Sequence, residues 1–224
     1  MRVLSSYLPD EARKHVKGIL DFTFTASGTA ETFKGTGLLT SPSLSIYNIT
    51  SHNIKAPFYI QDRYFTVEDA SASIYGGQMK LQLAADLHST KWGGRVDIKS
   101  ADLTGLIRDV IPDSTGSITG KTDFSLRIAG DTRRTSLLDG TGRLSITDGE
   151  ITGFPGVDTL SKAMGNKLLL FKSVISTFTV DGKNLYILPG SRVTAPPDHE
   201  AYRYLLADGS ANLETGLDLN LIGN

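Results

Sequence analysis

Few side chains in this chain are placed to carry chemistry. There are four histidines, at positions 15, 52, 88 and 199. Only Asp86 and His88 share a strand face at i, i+2, a spacing that metals sometimes use, and a solvated strand edge is the favoured account of that pair. A glycosidase would need paired carboxylates, and Asp113, Asp123, Asp148 and Glu150 are the candidates. Each falls at an expected turn or outward strand position, where solvation or turn geometry accounts for it. Gly140-Thr-Gly142 opens like a dinucleotide fingerprint. Ser145 occupies the third glycine position, however, and a strand follows where a helix is required. There is no nucleophile elbow and no phosphate loop. The absence of cysteine excludes disulfides, thiolate metal sites and thiol nucleophiles. Trp92, ahead of Gly93-Gly94, reads as a strand-end packing residue or a sugar platform. With no triad, dyad or ligand set to name, the residues point away from an enzyme and toward no cofactor or metal.

Composition narrows the field further. The chain has 224 residues, a net charge of −1, 39% hydrophobic and 21% charged residues. No basic excess is available to neutralise a phosphate backbone, so nucleic acid is not an expected partner. The 23 glycines exceed the usual share of about 7% and suit many turns and bulges. No run approaches the ~18 apolar residues of a membrane span, and the first residues lack the apolar core of a signal peptide. The expectation is a piece of a longer secreted or anchored chain.

The elements that must position these residues are strands. Met79, Leu81, Leu83 and Ala85 alternate with Lys80, Gln82 and Ala84. The same period of two recurs at Phe22–Ala26, Leu44–Ile46, Phe65–Ile74 (with one register shift), Val96–Ile98, Phe124–Ile128, Leu144–Ile146, Phe178–Val180, Leu185–Ile187, Tyr202–Leu206 and Leu217–Leu221. Each reads as a strand buried on one face. Asp-Gly pairs at 139–140, 148–149, 181–182 and 208–209, together with Gly76-Gly77 and Ala129-Gly130-Asp131, predict hairpin turns. In particular, Gly140 to Gly153 (GTGRLSITDGEITG) reads as a complete hairpin turning at Asp148-Gly149. Three short helices are predicted: a lead-in within residues 1–18, centred on Pro9–Val16, then Asp102–Ile111 and Pro155–Phe171. The expected fold is mainly β, a curved or U-shaped antiparallel meander over residues 1–224 as a single domain.

Taken in order, these motifs resemble the C-terminal region of the AsmA-like family. ASIYGGQMKLQLAADL (Ala72–Leu87) resembles that family's glycine-centred strand pair, and WGGRVDIKSADLTGLIRDV its next strand and short helix. GSITGKTDFSLRIAGD, GTGRLSITDGEITGFPGVDTLSK, STFTVDGKNLYI and ADGSANLETGLDLNL follow in the family's order. The resemblance implies a β-groove and a periplasmic location, with an inner-membrane anchor outside this chain. It also implies a non-enzymatic role in lipid transport and outer-membrane homeostasis.

Strand physics leads to the same place. About a dozen strands each offer an apolar face, and three short helices cannot cover them all. The sheet must close on itself, or curl into a trough that an apolar ligand fills. Phospholipid acyl chains suit the trough, since each methylene leaving water gains roughly 0.8 kcal/mol. The expected lining is Leu81, Leu83, Phe124, Leu126, Ile128, Leu144, Ile146, Phe178, Val180, Leu217 and Leu219. Ordinary core packing is the competing reading of each. The competing reading of the molecule is a closed β-sandwich, a structural or protein-interaction module of an envelope assembly factor.

Overall fold

Alternating apolar and polar side chains become one antiparallel sheet in the computed structural model. It describes residues 15–29, 32–110, 116–153, 159, 162, 169–199, 202–212 and 216–223; the side chains of Thr135, Ser136, Leu217 and Leu219 are outside that description. The elements are β1 (Val16–Gly18), β2 (Asp21–Ser27), β3 (Lys34–Ile46), β4 (Ile49–Gln61), β5 (Tyr64–Ile74), β6 (Gly77–Asp86) and β7 (Lys91–Asp102), then α1 (Leu103–Val110), β8 (Ser117–Ile118), β9 (Lys121–Asp131), β10 (Arg134–Thr152), β11 (Leu169–Asp181), β12 (Asn184–Thr194), β13 (Tyr204–Asn212) and β14 (Gly216–Gly223).

Among the described residues all fourteen strands belong to a single sheet. β1 and β2 pair with the two halves of β3, and β8 and β9 with the two halves of β10. Fourteen strands therefore make twelve lines, each antiparallel to its sequence neighbour. The sheet is open and curved: β1–β2 lie at one edge, β14 at the other, and the two edges are not bonded to each other. Among the described residues no second sheet packs on the first, so the closed-sandwich reading is corrected. Long consecutive strands favour extending one meander over folding back as two layers. Bulges bend the lines. One falls between Val67 and Ala70, as the sequence predicts, and others between Ile98 and Ala101 and between Ile187 and Ser191.

The turns obey local chemistry only in part. Tyr75-Gly76 turns with φ of 44° and 75°, and Tyr47-Asn48 with φ of 49° and 70°, the positive pair that a two-residue hairpin needs. β11 and β12 join through Gly182-Lys183, beside the predicted Asp181-Gly182. The other three Asp-Gly pairs do not turn. Asp139-Gly140 and Asp148-Gly149 lie inside β10, and Asp208-Gly209 inside β13. The expected hairpin at Gly140–Gly153 is one continuous strand with a local kink at Asp148 (φ 51°). Glycine is required there by neighbours: a Cβ on Gly149 would overlap the Thr119 carbonyl and the Phe171 ring. The Ala129-Gly130-Asp131 turn falls two residues later, at Thr132-Arg133.

Of the three predicted helices, the one from 102 to 111 is present as α1. Asp102 caps it, its Oδ1 accepting the Thr104 N–H at 3.0 Å. The Pro9–Val16 prediction lies almost wholly outside the described residues; within it His15 is helical, and Val16 already begins β1. Most of Pro155–Phe171 is also outside them. Thr159 and Lys162 are helical, whereas Leu169–Phe171 is strand.

The core sits at one end of the sheet. Leu103, Ile146 and Phe171 form its centre, with Leu106, Ile107, Ile118, Leu144, Val174 and Val193 packed against it. Beside it, Ala195 and Tyr202, in the connection between β12 and β13, pack on Leu169 and Leu205. Alternation through Tyr202, Tyr204 and Leu206 predicted the wrong face here. Leu205 is the buried residue, and Leu206 is exposed on the other side, because Tyr202 precedes the strand and does not share its phase.

A candidate lipid-binding face

Register determines which side chains share a face, since directly paired residues point the same way. One row of paired positions runs the full width of the sheet. It reads Phe24, Gly37, Phe58, Val67, Leu83, Gly94, Ile128, Gly140, Val180, Leu185, Ala211 and Leu217. All twelve are apolar or glycine. The next row, toward the core, runs Ala70, Leu81, Val96, Leu126, Gly142, Phe178, Ile187, Gly209 and Leu219, again without a polar residue. A third carries Ala72, Met79, Ile98, Phe124, Leu144 and Ser176, and a fourth Ala101, Thr122, Ile146, Val174, Val193 and Leu205.

All eleven residues expected to line a trough fall on these four rows of one face; Leu217 and Leu219 are placed by backbone register. The rows differ in what covers them. Ile146 is 6% exposed beneath α1 and Phe171, so protein already fills the space above it, and Leu144 borders that cluster. Leu81, Leu83, Phe124, Leu126, Ile128 and Val180 are half-buried. Phe178 is buried because its ring lies flat across Gly142, where a Cβ would overlap it. The same device recurs at the far side, where the rings of Phe24 and Phe58 cover Gly35 and Gly37. Phe24, Phe58 and Phe65 continue as a row of rings with centroids 5.8 and 5.7 Å apart, within aromatic-pair range. The expected lining omitted these three rings and the row partners Val96, Ile98, Leu185 and Ile187. Their alternation is visible in the sequence, but which strands neighbour one another is not.

The face is apolar throughout its open part and charged nowhere on these rows. Ser176 Oγ bonds Ser191 Oγ at 3.1 Å. Thr122 Oγ1, at the capped end, is buried without a partner. Tyr75 OH donates to Asp109 Oδ2 at 2.8 Å, tying α1 to the β5–β6 turn; burial first, then this bond, pushes the Tyr75 phenol up to about 12. Tyr202 OH donates to the Leu170 carbonyl, and burial raises that phenol to about 12 as well. At twelve lines of ~4.8 Å spacing the rows span roughly 50 Å. The chain exposes 14420 Å², against about 10,000 Å² for a compact protein of its mass.

The opposite face mixes polar and charged side chains with exposed Leu38, Ile175, Leu206 and Ile222. Its row between the first two reads Gln82, Arg95, Arg127, Thr141, Thr179, Tyr186, Ser210 and Asp218. Asp86, paired with His88 in the metal reading, accepts the backbone N–H groups of His88 at 2.9 Å and Ser89 at 3.3 Å. The His88 N–H first among its causes holds that carboxyl below its usual range, which makes it a turn cap. Asp123 is engaged by Ser100 N and Lys99 Nζ, both at 2.9 Å, and Asp148 by Lys172. No helix among the described residues is long and apolar enough to cross a membrane. No protein-family model, no curated protein and no solved structure matches the chain.

Proposed function

We propose that this chain is a non-enzymatic lipid-binding segment of an AsmA-like cell-envelope protein. Its curved sheet serves as a U-shaped β-groove. Acyl chains lie along the uncovered apolar rows while headgroups stay at the open rim. The location that goes with this reading is the periplasm, with an inner-membrane anchor outside these residues, and the role is phospholipid transport supporting the outer membrane.

One observation carries the reading. Twelve consecutive strand lines place only apolar residues and glycine in the row from Phe24 to Leu217, and no second layer covers its open part among the described residues. A soluble protein rarely exposes an apolar patch above a few hundred Å² without a partner for it. Flexible hydrocarbon needs no hydrogen bonds from such a wall, and this wall offers none.

The test is lipid carriage. Protein purified without detergent should bring phospholipid visible by mass spectrometry and should accelerate lipid exchange between vesicles. Absence of both would refute the groove. Capture of an envelope protein instead, with no lipid, would favour an interaction module. The feature supporting that alternative is β2, exposed along its whole length at the sheet's edge.

A further inference from the structure

On the face away from the apolar rows, three arginines converge. Arg95 and Arg127 are direct cross-strand partners on β7 and β9. Arg143, on β10, stands one row further along, opposite Ser125 and Thr177. Together with Thr141 these residues line a concavity of about 260 Å³. Like charges placed directly opposite each other destabilise a sheet, so the juxtaposition of Arg95 and Arg127 needs a reason.

The nearest carboxylate supplies one for Arg95 alone. Asp97 takes Arg95 in a two-pronged pair, at 2.6 Å to Nε and 2.9 Å to an Nη. Arg127 acts on Asp97 only as a nearby charge. Among the described residues neither Arg127 nor Arg143 forms an ion pair. Two forked donors, each with fixed planar geometry, therefore face a hollow floored by three hydroxyl-bearing side chains. Glu68 and Asp139 line an adjoining concavity of about 730 Å³ that Arg95, Arg127 and Thr141 share, and Asp97 and Asp123 line one of about 270 Å³ beside Arg143, with Asp123 already held by Lys99 and Ser100.

The geometry points to an oxyanion site at Arg95, Arg127 and Arg143 that takes a phosphate group. Guanidinium forks bind phosphate oxygens in pairs, and Ser125, Thr141 and Thr177 can donate to the remaining oxygens. The bound anion relieves the Arg95–Arg127 repulsion, so binding and sheet stability are coupled. The site does not depend on the groove, because it occupies the other face.

Two probes and three proteins test it. Inorganic pyrophosphate stands for a free phosphate ligand, and phosphatidylglycerol-containing vesicles for a lipid headgroup, with neutral phosphatidylcholine vesicles as reference. The proteins are wild type, the double variant Arg127→Gln/Arg143→Gln, and Arg192→Gln. The last removes a polar-face arginine stacked on Tyr204 outside the cluster. Pyrophosphate at about ten times its Kd should raise the wild-type Tm by roughly 3–6 °C. The double variant should lose that rise and Arg192→Gln should keep it. A rise with pyrophosphate alone identifies a soluble phosphate ligand. Extra flotation with anionic vesicles, lost in the double variant, identifies a headgroup. Equal responses in all three proteins, or no response to either probe, overturn the site. Flotation with neutral vesicles that survives in the double variant reports the apolar face, which keeps the two readings separable.

Discussion

Phe178 lies across Gly142 and Phe24 across Gly35, and this residue-scale device explains why glycine is so frequent in strands where it ordinarily weakens pairing. Each ring takes the place of a missing side chain, so the wall is smooth where two bulky residues would collide. Gly142→Ala should therefore cost about 1–3 kcal/mol, the range of an overpacked site. Gly93→Ala is the matched control, since a Cβ there meets nothing closer than 3.7 Å. It should be neutral or stabilise by up to about 1 kcal/mol. Urea denaturation of the two variants checks both, and equal effects would refute the ring-over-glycine account. That the eleven expected residues share one face was legible, because alternation alone sorts one side of a strand from the other. The glycines were not. Asp139-Gly140 and Asp148-Gly149 have the composition of a turn, and only the neighbouring strand reveals that a ring or a carbonyl needs the space.

At the scale of the element, α1 is a stopper held by a few contacts. Leu103, Leu106 and Ile107 press on the end of the apolar face, Asp102 caps the first turn, and Tyr75 clasps Asp109. The periodic leucines and the proline at 112 made this helix readable. The second cover, Ala195 and Tyr202, lacks any period and was not readable, which is why the buried phase of β13 was missed. The clasp has a pH signature. The Tyr75 phenol titrates near 12 in the fold, against about 10 unfolded. A raised pKa means that the neutral form is the one stabilised. That stability is fully present below pH 10 and disappears as pH climbs through 12. The wild-type urea midpoint should fall between pH 9.5 and 11.5, and Tyr75→Phe should show a shallower fall from a lower starting point, having lost the bond to Asp109. Identical slopes would mean that the clasp does not form. Asp102→Ala should cost about 0.5–2 kcal/mol at neutral pH through loss of the cap, measurable in the same assay.

For the whole molecule, the deciding quantity is apolar surface that folding leaves in water. Strand pattern predicts how much greasy surface exists, but only the tertiary path determines whether two sheets share it or one sheet displays it. An open sheet and a sandwich can be written with the same alternation, so alternation alone left openness undecided, and the expectation of a curved, U-shaped sheet rested on the family resemblance. It has a thermodynamic consequence. An unfolded chain of 24.1 kDa exposes about 35,000 Å². Folding to 14420 Å² hides about a fifth less area than folding to a compact form of about 10,000 Å². Because the heat capacity of unfolding follows buried area, the lipid-free protein should unfold with a ΔCp about a fifth below the ~3 kcal/mol/K expected of its length. Added lipid that fills the rows from Phe24 to Leu217 buries further apolar area, so ΔCp should rise and Tm should increase with lipid concentration. Scanning calorimetry with and without short-chain phospholipid below its micelle threshold measures both. A lipid-free ΔCp already at the compact value would mean that the apolar rows are covered in solution, and hydrocarbon would have nowhere to bind.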